Sequence, residues 1–214
     1  MDLFKSTIEY RSWGANVATY SFLGTMLFSL LQGWALFAQN GTIRRKRSGE
    51  SIAVIYFVYG FCYFAAFFVY GVAKMSIAMA VNGLLFVPYL PILTALERWK
   101  GFSRADWLSL LAFSLMIPAI ELLKGDMRDV FVLLGLFGCL VPGIFQFMEL
   151  LRTKSPGAID PRFIVAFMFS CIFWFIFGLM TGNWIFVAFN PVSFFLLGST
   201  LVVYLKYKRF SPAV

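Results

Sequence analysis

Two asparagines, Asn82 and Asn190, lie deep inside long apolar runs. A carboxamide offers both a donor and an acceptor, and lipid satisfies neither. Each must therefore face protein or a water-filled cavity. Each also follows an aromatic residue, Phe67 or Trp174, at nearly the same spacing. This pairing suits an uncharged solute: the amides would bind hydroxyls or amides, and the rings would stack on a sugar face or a planar heterocycle. Ser170 and Tyr63 stand four residues before Trp174 and Phe67, one turn away on the same helix face. They line the same cavity or, for Ser170, bond the local backbone. A lone intramembrane asparagine more often joins two helices, at about 0.6 kcal/mol. Two at matching positions favour a binding site.

Other chemistries find no residues. There is no histidine, so neither a histidine relay nor a histidine metal site is available. Cys62, Cys139 and Cys171 all fall in apolar runs and read as small core residues without a disulfide. No phosphate-binding glycine loop, paired catalytic carboxylates or Cys/His metal spacing occurs. No enzyme, metal or cofactor is expected. Glu121 and Glu149 lie near span ends, and Glu149 can pair with Arg152. With no carboxylate near mid-depth, proton coupling is disfavoured and passive facilitation is expected, although Asp160 at a loop end could titrate.

The elements that hold these residues must cross a membrane. The chain is 61% apolar and only 13% charged, against about a quarter charged for a soluble domain. The +8 net charge would suggest nucleic acid in a soluble protein. Here it fits loops facing the anionic inner leaflet, so lipid is the expected partner and nucleic acid is not. No removable signal peptide is read at the amino end. Seven spans are expected, near 15–39, 51–72, 75–95, 107–123, 130–151, 163–180 and 184–207. With the amino terminus outside, thirteen Lys and Arg fall in inner segments and five in outer ones, out of 18. That bias sets the amino end outside and the carboxyl end in the cytoplasm. The run Arg44-Arg45-Lys46-Arg47 reads as a topology anchor at lipid phosphates.

Landmarks recur at one offset. Gly71 and Gly178, Phe67 and Trp174, Gln39 and Gln146, and Arg47-Ser48 and Lys154-Ser155 are each 107 apart, while Asn82 and Asn190 are 108 apart. The chain therefore reads as an all-α membrane protein of seven transmembrane helices. Two parallel three-helix repeats flank a linker helix, a 3+1+3 arrangement. The expected divisions are an outer segment 1–14, a first repeat 15–95, a linker 96–129, a second repeat 130–207 and a cytoplasmic tail 208–214.

These residues resemble the SWEET sugar transporters and the wider PQ-loop family. Family members carry a Gln near the end of the first helix of each unit, then Lys-Ser or Lys-Thr; here these are Gln39 with Arg47-Ser48 and Gln146 with Lys154-Ser155. A Trp before a Gly in the second helix is matched by Trp174 and Gly178, and more weakly by Phe67 and Gly71. The third-helix Asn is matched by Asn82 and Asn190. Hinge prolines are matched by Pro142 and Pro161 in the second unit. The first unit has Ala35 and Val54 there, and carries Pro88 and Pro91 in its third helix. The resemblance implies a facilitator for a small neutral solute, usually a sugar, working by alternating access. Asn82, Asn190, Trp174, Phe67, Ser170 and Tyr63 would bind substrate, and Gln39, Gln146, Pro142 and Pro161 would gate. The rivals are a carrier of amino acids, vitamins or planar metabolites, and a non-transporting receptor or scaffold. A seven-helix signalling receptor or photoreceptor fits less well. One chain holds enough to build a pore, and assembly into a homo-oligomer stays open.

Overall fold

The computed structural model describes residues 5–210. The ends of the outer segment and of the cytoplasmic tail fall outside this range. Seven helices among the described residues are long and apolar enough to cross a membrane. They are α1 Val17–Lys46, α2 Val54–Ala73, α3 Ile77–Lys100, α4 Arg104–Leu122, α5 Gly125–Thr153, α6 Pro161–Thr181 and α7 Trp184–Arg209. The chain is an integral, multi-pass membrane protein.

Several helices outrun the apolar windows. α1 continues through Gln39 into Arg44, Arg45 and Lys46, and α3 continues to Lys100. Hydropathy falls where the charges begin, whereas backbone bonding continues and long basic side chains reach past the apolar zone. Starts and stops follow local chemistry. Asn16 caps α1 by accepting from Thr19 N–H, and a Ser103–Asp106 capping box starts α4. Pro161 opens α6 directly after its cap, Asp160. α1 and α5 end on left-handed residues, Arg47 (φ 47°) and Lys154 (φ 50°), again 107 apart.

Three helices break just before a proline: α3 at Leu84–Leu85, α4 at Leu115 and α5 at Cys139. A proline lacks the N–H that the carbonyl four residues earlier would receive, and its ring crowds that carbonyl. For Pro88, Pro118 and Pro142 those carbonyls belong to Leu84, Ser114 and Gly138, at the breaks. The first unit is thus interrupted in its third helix and the second unit in its first. Pro161 interrupts nothing, and α7 passes through Pro191 unbroken.

Within the first unit α3 lies between α1 and α2, and within the second α7 lies between α5 and α6. Across the units α1 packs on α6 and α2 on α5, the pattern of a two-fold axis along the bundle. α4 lies outside against α2 and α5, and only Ile120 of it is buried. The matching glycines Gly71 and Gly178, and Gly83 beside Asn82, are close crossings. A Cβ on Gly71 would come within 2.4 Å of Ala80 N, and one on Gly83 within 2.4 Å of the Phe68 backbone. On Gly178 it would come within 2.9 Å of Phe186 Cβ. Gly71→Val and Gly83→Val should each cost about 3 kcal/mol or more, because backbone must move. Thermal unfolding of the purified variants checks this; an unchanged midpoint would contradict it.

α1 is turned inside out relative to a soluble helix. Ser21, Thr25, Ser29 and Gln32 form a buried stripe, while Tyr20, Leu23, Leu27, Leu30 and Trp34 point outward. The segment before α1 is tied down as well. Glu9 is buried and accepts from Ser76 Oγ at 2.6 Å and Ala78 N at 3.0 Å at the start of α3.

Candidate functional site: a central cavity between two units

A cavity of about 140 Å³ lies between the units. It reaches from Asn82 and Asn190 to Gln39 and Gln146. The structure brings Phe67, Trp174, Tyr63 and Ser170 to its wall together with both asparagines, and Pro142 lines it too. Pro161 does not.

The asparagines are held differently. Asn82 Nδ2 donates to Ser29 Oγ at 3.0 Å and Gln32 Oε1 at 2.9 Å, both on α1. Asn190 Nδ2 donates to Phe186 O at 2.7 Å, one turn back on its own helix. Among the described residues neither Oδ1 accepts a bond, so each asparagine serves structure with its nitrogen and keeps its oxygen for the cavity. The hydroxyls of Tyr63 and Ser170 are fully buried with no hydrogen-bond partner among the described residues. Such groups cost about 1–3 kcal/mol each unless something else satisfies them. The wall thus holds two free acceptors, with two unpartnered hydroxyls buried in it, and among the described residues no Asp, Glu, Lys or Arg lines it.

Aromatic rings pack together toward the side away from the basic loops. Trp174 meets Phe67 edge-on with centroids 5.9 Å apart, and Phe186 lies 4.8 Å from Trp174. Along α2 the rings of Tyr59, Tyr63, Phe67 and Tyr70 stack in sequence at 6.3, 5.7 and 6.0 Å. Tyr59 OH donates to Gly135 O beside the α5 break. At that far end Asp129 of α5 receives Tyr70 OH at 3.1 Å and pairs with Lys74 at 2.7 Å, joining the two units.

At the basic end a reciprocal clasp ties the two units together. Gln39 Nε2 donates to Ala158 O at 2.8 Å, and its Oε1 accepts from Asp160 N at 2.7 Å. Gln146 Nε2 donates to Ser51 O at 2.7 Å, and its Oε1 accepts from Ala53 N at 2.9 Å. Ser51 and Ala158, and Ala53 and Asp160, are themselves 107 apart. Each glutamine therefore holds the same two backbone groups of the opposite unit. Neither caps its own helix. Lys46 Nζ to Gly157 O at 2.6 Å and Ala158 N to Glu50 O at 2.9 Å add to the clasp.

Asp160 is the buried carboxylate of this clasp. It accepts from Thr42 Oγ1 at 2.8 Å and from the Arg162 guanidinium at 2.7 Å. Burial pulls its pKa up, but the Arg162 and Thr42 bonds outweigh this and hold it below the ordinary aspartate range. A carboxylate depressed on folding contributes stability above its unfolded pKa of about 3.9 and loses it as pH falls through the lower folded value. On this group's account the unfolding temperature should stay flat from about pH 7 to about pH 5 and fall only below about pH 4. Asp160→Asn should shrink that acid-side fall; an unchanged acid limb would contradict the assignment.

Sequence reasoning missed Gln32 and Ser29, which orient Asn82. The available signal was the helical spacing of Ser21, Thr25, Ser29 and Gln32 in an otherwise apolar span. The Asp129 contact carried no such signal.

A family profile described as "sugar efflux transporter for intercellular exchange" matches residues 129–211, essentially the second three-helix unit. No curated protein matches the chain. Among solved structures, "the 3.7 A resolution structure of a eukaryotic SWEET transporter" superposes with a TM-score of 0.63 at 15% identity, covering 90% of this chain and 97% of that one. The chain thus resembles the SWEET transporters by sequence over its second unit and by fold over nearly its whole length.

Proposed function

We propose that this protein is a facilitative carrier of a small neutral solute, in the first place a sugar. The carrying observation is the cavity wall: two free amide oxygens between aromatic faces, with no Asp, Glu, Lys or Arg among the described lining residues. A sugar hydroxyl donates to such oxygens while an apolar sugar face packs on the rings. The profile match to sugar efflux transporters over residues 129–211 supports the same reading.

The basic, inner end is sealed by the glutamine clasp, and the outer end by the aromatic group and the Asp129 contacts. Release of one seal while the other holds would give alternating access by rocking the two units. A cavity wall without carboxylate among the described residues supports a uniport that no proton gradient drives. A second reading, a carrier of a planar metabolite, draws on the stacked row Tyr59, Tyr63, Phe67 and Tyr70. Uptake of labelled glucose and sucrose into proteoliposomes, with and without a proton gradient, tests the proposal. Gradient-independent glucose uptake is expected. Its absence in folded protein would overturn the sugar reading, and competition by a flat heterocycle would then support the second.

A further inference from the structure

We infer that Gln32 sets the hydrogen-bonding polarity of the first-unit half of the cavity, fixing Asn82 with its acceptor oxygen and offering its own amide hydrogens to the solute. The inference rests on the carrier reading and adds a residue to it. Gln32 is buried on the polar stripe of α1 and lines the cavity. Its Oε1 accepts from Asn82 Nδ2 at 2.9 Å. The other partner of that nitrogen, Ser29 Oγ, gives its own hydrogen to Thr25 O at 2.9 Å, so it too meets Asn82 as an acceptor.

Both α1 partners of Asn82 therefore present lone pairs. Turning the Asn82 amide alone would set its oxygen against two acceptors, so with Gln32 and Ser29 held as they are Oδ1 is left free of α1. Asn190 reaches the same orientation through a carbonyl of its own helix. The hydrogens of Gln32 Nε2 have no acceptor among the described residues, which leaves them for the solute. An acceptor on Asn82 beside a donor on Gln32 matches a hydroxyl-rich solute. The residue 107 positions later is Cys139, at the α5 break and a weak donor. The two halves of the cavity are thus unequal, and Gln32 makes the first half the more polar.

Gln32 is a positioning residue for Asn82 and a contact residue for the solute, so its test needs variants that separate the two roles. Gln32→Met keeps the volume and removes both. In proteoliposomes it should raise the KM for glucose about tenfold with little change in maximal rate. Adding Asn82→Ala to it should cost much less than the same change costs the wild type. Gln32→Glu keeps the acceptor for Asn82 and donates only when protonated, so its uptake relative to wild type should rise at acidic pH. A wild-type KM in Gln32→Met, or multiplicative effects of Gln32→Met and Asn82→Ala, would overturn the inference while leaving a transporting wild type, and the carrier reading, intact. If wild type takes up no sugar, the sugar reading and the solute contact fall together. The thermal unfolding cycle of the same three variants then decides the positioning role: coupled midpoints support it, and additive midpoints overturn it.

Discussion

Asn82→Ala and Asn190→Ala should each lower the efficiency of glucose uptake by about 10–100-fold while the protein still reaches the membrane. A closed site strips water from the solute, so removing the asparagine oxygen leaves a desolvated hydroxyl unpaired at about 1–3 kcal/mol. The two variants should differ in stability. Asn190 Nδ2 adds a bond to Phe186 O within one helix, and its loss should barely move the unfolding temperature. Asn82 ties α3 to α1 through Ser29 and Gln32, so Asn82→Ala should also unfold earlier. If both variants transported normally, the asparagines would be interhelical ties only and the scaffold reading would gain.

The second large effect concerns the basic end. In the closed state the Gln39→Ala, Gln146→Ala double variant would leave Ala158 O, Asp160 N, Ser51 O and Ala53 N without their partners. Water satisfies those groups once the end opens, so the change penalises the closed state selectively. At about 1–3 kcal/mol per buried group, even partial compensation moves the equilibrium by about 100-fold or more. The native thiols report the shift, since Cys139 and Cys171 line the cavity and Cys62 does not. A water-soluble maleimide applied from the basic side should label Cys139 and Cys171 about 100-fold faster in the double variant than in wild type. Labelling at the wild-type rate would show that the glutamines do not hold this end.

The fold was legible because polar landmarks are scarce in so apolar a chain. Gln39 and Gln146 could be paired by offset alone, and the structure has them clasping backbone groups that share the offset. The seven helices followed from apolar length, and their true ends did not, because α1 and α3 run on through charged turns. Asn82, Asn190, Phe67 and Trp174 could be listed as one site from spacing. Which end of the Asn82 amide faces the cavity could not, since that depends on Ser29 and Gln32, whose counterparts at the offset, Leu136 and Cys139, offer at most a weak donor. The Lys74–Asp129 pair joins α2 to α5 through space, and no local pattern encodes it.

Counterflow is the most direct test of the central claim. Proteoliposomes loaded with unlabelled glucose are diluted into a trace of labelled glucose with no ion gradient. A carrier with one site exposed alternately to each side accumulates label transiently above equilibrium. Wild type should show that overshoot, and Asn190→Ala should lose it. No overshoot for any sugar by folded wild-type protein, or an overshoot only under a proton gradient, would contradict it.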